Sequence, residues 1–123
     1  MRYIDTDKAP KAIGPYSQAI ETDSMIFCSG QIGIDPTTSE VVEGLEAQVK
    51  QSLNNLKALV ESAGGKMELI VKTTLFLTDM ADFARVNAIY STFFLAHKPA
   101  RSTVAVVALP KGALFEIEAI VVK

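Results

Sequence analysis

The sequence predicts a single-domain α/β fold of the α+β type: a mixed β-sheet with two helices packed on one face. Three observations lead there. Two segments repeat apolar residues at steps of three and four, as an amphipathic helix requires. Shorter apolar runs, bounded by turn residues, precede, separate and follow them. The last two of these runs are apolar on both parities, the pattern of strands covered on both faces.

In order, a short first strand is expected near Arg2–Asp5, then Ser17–Glu21 and Met25–Ile34 as a hairpin around Thr22-Asp23-Ser24. The first helix runs from about Gly44 to Ala63, with Leu45, Val49, Leu53, Leu56, Val60 and Ala63 on one face. Gly64-Gly65 follows where a left-handed cap is expected. Leu69–Leu77 is the next strand. A second helix begins after Thr78-Asp79, with Asp79 as N-cap, buries Phe83, Val86, Tyr90 and Phe93, and is stopped before Pro99. Ser102–Leu109 and Leu114–Val122 close the sheet, and strand–helix alternation puts both helices on the same face.

That arrangement leaves one face uncovered. Thr103–Leu109 reads Thr-Val-Ala-Val-Val-Ala-Leu, and no third helix remains to shield it. Each large aliphatic side chain left in water forgoes about 1.5–3 kcal/mol of burial. Oligomerisation is the expected solution, with cover by loops as the alternative.

The 123 residues fit one domain, 1–123, with 49% hydrophobic and 21% charged residues. A formal net charge of -2 with no basic run argues against a nucleic-acid partner, since phosphate neutralisation supplies most of that affinity. No apolar stretch suits a signal peptide or membrane span, so no membrane partner and a cytoplasmic location are expected. One cysteine, Cys28, and one histidine, His97, form no metal-ligand pattern, and no metal is expected.

Common catalytic signatures (GxSxG, Walker loop, GxGxxG, HExxH) are absent. Cys28 shares the parity of Ile26, Ile32 and Ile34 and reads as a buried structural thiol. His97, near a helix end beside Lys98, reads as a partner of terminal carbonyls. What remains is polar residues set into apolar strands: Arg101 after Pro99, Glu116 and Glu118 on one face of the last strand, and Ser29-Gly30-Gln31 in the third. A charge in a buried strand must be paired, at an edge, or functional, so Arg101 and Glu116 are either a structural ion pair or a site.

Ala12-Ile13-Gly14-Pro15-Tyr16-Ser17-Gln18-Ala19, Ser29-Gly30-Gln31-Ile32, Val71-Lys72-Thr73-Thr74, Asp82-Phe83-Ala84, Val86-Asn87, Pro99-Ala100-Arg101-Ser102 and Glu116-Ile117-Glu118-Ala119 together resemble the reactive-intermediate deaminase (Rid, YjgF-like) family. The likeness extends from about Ala9 to Lys123. It implies a chorismate-mutase-like fold assembled as a homotrimeric barrel, with ligand clefts shared between neighbouring subunits. It implies further that Arg101 holds a substrate carboxylate and that Tyr16, Ser29, Gly30 and Glu116 line the rest of the cleft. A guanidinium fork suits that task, because it meets a planar carboxylate through two parallel charge-assisted hydrogen bonds.

Expected chemistry is hydrolysis of 2-imino and enamine acids, such as 2-aminoacrylate from pyridoxal-phosphate enzymes, to 2-keto acids and ammonia. Glu116 would manage water and nitrogen, Tyr16 and Ser29 would orient the substrate, and no cofactor is needed. Glu118 is expected either to raise the pKa of Glu116 or to face solvent, and Asn87 to be structural. Where many family members carry cysteine two residues after the arginine, this chain has Thr103. That position is expected to contact substrate through its backbone. The rival expectations are a non-enzymatic regulatory trimer binding small carboxylates and, behind it, a ribonuclease or translation inhibitor.

Overall fold

The structure, a computed structural model, describes residues 1–123. Its elements in chain order are β1 (Arg2–Ile4), β2 (Ala19–Glu21), β3 (Met25–Ile32), β4 (Ile34–Asp35), β5 (Glu40–Val41), α1 (Leu45–Ser62), β6 (Ile70–Leu77), α2 (Phe83–Phe93), β7 (Ala100–Ala105) and β8 (Phe115–Val122). Six strands make one sheet in the order β1-β2-β3-β8-β6-β7, while β4 and β5 pair separately. Only β6 and β7 are parallel, and α2 is the crossover between them. The expected mixed sheet with two helices is therefore present. No helix is long and apolar enough to cross a membrane.

Helix α1 forms where its period predicts, burying Leu45, Val49, Leu53, Leu56, Leu59 and Val60. Its end is a Schellman motif. Gly65 N–H donates to Val60 O at 2.9 Å and Gly64 N–H to Glu61 O at 3.0 Å, with Gly64 at φ 83°. Helix α2 departs from expectation at both ends. Asp79 caps a 3-10 turn over Met80–Asp82, accepting from Ala81 N–H at 2.9 Å, and the α-helix starts only at Phe83. Phe83 is 37% exposed and Phe93 is half-buried; the fully enclosed aromatic is Phe94, just past the helix. A stripe drawn at helical steps cannot find a residue that lies beyond the last turn.

The helices cover the face of the sheet that carries Ile26, Cys28, Leu75, Leu77, Phe115, Ile117, Ala119 and Val121, all in one core with α1. Opposite-parity side chains form a helix-free face where Tyr3 is 66%, Phe27 42% and Val104 42% exposed. The expected strand through Leu109 stops at Ala105, and Val107 lies fully in the open. Likewise Met25–Ile34 is split at Gly33, where a Cβ would stand 2.7 Å from the Gln48 Cα of α1. Close packing of backbone on backbone bends the chain there, giving the β4–β5 hairpin that no periodicity announced.

Candidate functional site

A bulge in β3 builds one cavity. Cys28 pairs with Ala119 and Gln31 with Ile117, so Ser29 and Gly30 together oppose the single residue Glu118. The extra residue reverses parity beyond it. Ile32 therefore falls opposite Glu116 on the far side of the sheet from Cys28, although strict alternation puts Ile32 and Cys28 together. Cys28 itself is buried as expected, and burial pushes its thiol up to about 12.

The cavity of about 310 Å³ at this bulge is lined by Tyr16, Ser29, Gly30 and Glu116, with Ile13, Ile32, Ile34 and Pro110 among its apolar walls. Four of the residues expected at a site are thus brought together. Gly30 leaves room for Glu116: a Cβ there would lie 2.8 Å from the carboxyl carbon of Glu116, which folds across the bulge. Burial raises the pKa of Glu116, and the nearby negative charge of Glu118 adds to it. Glu118 is also exposed, so both expectations for it hold at once. Ser29 Oγ donates to Ser17 O at 2.6 Å, which leaves its lone pairs available as acceptors. Tyr16 Oη accepts from Ile13 N–H at 3.3 Å and keeps its own proton to donate. Lys11 also lines the cavity and is its one cation within the chain, a residue not singled out from sequence.

Arg101 lies elsewhere in the chain. It pairs with Thr73, and Thr73 with Ala119, on the helix-covered face, whereas Glu116 pairs with Phe76 on the other. Its Nη1 donates to Asn87 Oδ1 at 2.8 Å, and the guanidinium stands over the rings of Tyr90 at 5.0 Å and Phe83 at 5.5 Å. The chain has three arginines. Arg2 pairs with Glu21, and Arg85 pairs with Glu46 and Asp82, but Arg101 has no carboxylate partner. It lines a second cavity of about 300 Å³ with Asn87, Tyr90, Lys98 and Pro99.

Strand β7 is the last of the sheet, so one of its edges is free. Val106 N–H donates to Leu77 O of β6, and alternation back along β7 points the N–H and C=O of Thr103 and Arg101 toward the free edge. The Thr103 hydroxyl is buried without a hydrogen-bond partner. His97 bonds through Nε2 to Ile70 O at 2.9 Å, the first residue of β6, and not to the end of its own helix. No group of three His, Cys, Asp or Glu residues is placed to hold a metal ion.

Three buried amides that sequence reading passed over hold the cavity walls. Gln18 accepts from Thr6 N–H at 2.7 Å and donates to Pro10 O at 2.8 Å, fixing the segment that leads to Tyr16. Asn55 of α1 donates to Ile32 O and Ile34 O, and Gln48 accepts from Leu114 N–H at 2.8 Å. For Gln48 and Asn55 the signal was present as polar residues on the apolar stripe of a helix. Its targets, main-chain atoms across the fold, were not.

The fold and cavity define a small α+β domain with a carboxylate-lined cavity at a sheet bulge. Residues 6–123 match the family described as Endoribonuclease L-PSP, and the chain belongs to that family. It is similar to the 2-iminobutanoate/2-iminopropanoate deaminase of Salmonella typhimurium, with 54% identity over 98% of this chain and 96% of that protein. Among solved structures, the YjgF gene product of E. coli superposes with a TM-score of 0.97 at 52% identity, covering 100% of this chain and 99% of that one. E. coli TdcF with bound serine superposes with a TM-score of 0.97 at 45% identity, covering 100% and 99%.

Proposed function

We propose that the protein hydrolyses 2-imino acids and their enamine tautomers, R–C(=NH)–COO⁻ with water giving R–C(=O)–COO⁻ and ammonia. The observation that carries this reading is the cavity at the β3 bulge, where Glu116 of raised pKa stands with Tyr16, Ser29 and Gly30. The deaminase name carried by a relative of 54% identity, and the carboxylate-bearing serine of the TdcF structure, agree with it. A volume of about 310 Å³ suits a small substrate, near the lower end of the roughly 300–1,000 Å³ of ligand pockets.

Glu116 takes a proton from water as oxygen attacks the imine carbon, and returns one to nitrogen as ammonia leaves the tetrahedral intermediate. A carboxyl group titrating above its ordinary range is suited to doing both, and such help is typically worth about 10²–10⁴-fold. Tyr16 donates to the substrate, and Ser29 accepts from it.

Arg101 holds the substrate carboxylate from a neighbouring copy. Its unpaired guanidinium on the open-edged strand, the exposed apolar row on the helix-free face and the free main-chain groups of Thr103 all support a cleft formed between copies in a trimeric barrel. The site residues are then Arg101 and Thr103 of one copy with Tyr16, Ser29, Gly30 and Glu116 of the next. A cytoplasmic setting, beside the enzymes that release such imines, goes with this reading.

The test generates 2-iminobutanoate with an amino-acid oxidase or dehydratase and follows its decay. Acceleration by the protein, nearly abolished in Arg101→Ala and strongly reduced in Glu116→Ala, is expected. Specific carboxylate binding without acceleration would favour the regulatory reading instead. Salt-sensitive RNA cleavage by the same preparation would favour the activity that the family description carries.

A further inference from the structure

We propose that Asn87 is a positioning residue for Arg101, and that its neutrality is what keeps Arg101 free to bind an anion. The inference rests on the reading of Arg101 as the carboxylate anchor.

Arg101 is held from three sides by groups that fix it without neutralising it. Asn87 Oδ1 accepts from Nη1 at 2.8 Å, and the Tyr90 and Phe83 rings flank the guanidinium carbon at 5.0 and 5.5 Å. Tyr90 is in turn fixed by a 2.8 Å hydrogen bond between its hydroxyl and Thr73 Oγ1, both buried, and by packing on Phe94. Phe83, Asn87 and Tyr90 stand at i, i+4 and i+7 of α2, one face of the helix turned to Arg101.

The chemical identity at position 87 matters because an amide oxygen and a carboxylate oxygen accept the same hydrogen bond with different charge. Aspartate is isosteric with asparagine and would form an ion pair at the same distance. The chain builds such pairs at its other two arginines, with Glu21 and with Glu46 and Asp82. A carboxylate at position 87 would occupy the guanidinium permanently and compete with substrate for the same charge. The amide orients the fork and leaves its charge and remaining donors unspent.

The experiment compares Asn87→Asp, Asn87→Ala and Arg101→Ala in the imine assay. Thermal unfolding and calorimetric binding of 2-oxobutanoate, a keto acid that is not turned over, are measured in parallel. Asn87→Asp is expected to unfold no earlier than wild type, yet to raise KM and weaken 2-oxobutanoate by about ten- to a hundredfold, the range of one charge-assisted contact. Its kcat is expected to fall less than its KM rises. Asn87→Ala is expected to raise KM severalfold while keeping an intact charge. A merely structural asparagine would show the reverse: loss of thermal stability with KM unmoved. Wild-type KM and keto-acid affinity in Asn87→Asp, with Arg101→Ala impaired, would overturn the positioning role alone. Wild-type behaviour of Arg101→Ala would overturn the carboxylate anchor, and this inference with it.

Discussion

Arg101 and Glu116 project from opposite faces of one sheet, with β6 between the strands that carry them. A single chain cannot bring them together without unfolding, so a site that uses both must draw them from different copies. Arg101→Ala and Glu116→Ala, each impaired alone, should therefore complement after being unfolded together and refolded at equal concentration. Random assembly of a head-to-tail ring gives about a quarter of the sites one intact arginine and one intact glutamate. Activity near that fraction of wild type is expected, and no recovery in the mixture would contradict a shared cleft.

Gly30 and Gly33, three residues apart, should fail differently. A methyl group at Gly30 meets the flexible end of the Glu116 side chain, which can swing aside. Gly30→Ala should keep its Tm within about 4 °C of wild type. Displacing the carboxylate by about an ångström should lower kcat/KM roughly a hundredfold. At Gly33 the methyl meets the main chain of α1 at Gln48 Cα, 2.7 Å away, and cannot be accommodated by a side-chain rotation. Gly33→Ala should lose about 1–3 kcal/mol or more of stability. Thermal scans alongside the imine assay separate the two.

The acid limb of the pH–rate profile should move when Glu118 is neutralised. Glu116 is raised first by burial and then by the Glu118 charge. Removing one negative charge lowers the pKa of Glu116, so Glu118→Gln should extend activity to lower pH. The stability linkage has the matching sign. A carboxyl whose folded pKa is raised favours the folded state when protonated, and that contribution disappears as pH rises through the raised value. Glu116→Gln should accordingly flatten the fall in stability across that window. An acid limb unchanged in Glu118→Gln would remove Glu116 as the group being titrated.

Asn55 offers a purely structural prediction. Its side-chain amide, 1% exposed, donates to Ile32 O at 3.2 Å and Ile34 O at 2.8 Å across the corner made by Gly33. Asn55→Ala leaves two carbonyls unpaired in the interior, at about 1–3 kcal/mol each. Its neighbour Asn54 is exposed, and Asn54→Ala should change stability by less than about 0.5 kcal/mol. Urea unfolding of the pair of variants measures the contrast.

How far the sequence could be read depended on whether the signal was local. Helix α1 and its Gly64-Gly65 stop are written in the spacing of Leu45, Val49, Leu53 and Leu56, and the structure reproduces them. Most strands followed from short apolar runs for the same reason. Ends set by tertiary contact did not. β7 stops at Ala105 although the run stays apolar to Leu109, because no partner strand extends alongside it beyond Leu77. The bulge at Ser29-Gly30 changed which face Ile32 takes, and a bulge depends on both strands of a pair. For the cavity, family resemblance named Tyr16, Ser29, Gly30 and Glu116, whereas periodicity alone left Arg101 and Glu116 open between ion pair and site. Their places on opposite faces of the sheet exclude an ion pair inside one chain.

Cys28 has a bearing on durability. Imine carbons are electrophiles, and a thiolate adds to them readily. The only sulfhydryl of this protein is enclosed beneath α1, on the side of the sheet away from Glu116, with its ionisation displaced to about 12. A catalyst working among such electrophiles thus keeps its one thiol out of their reach.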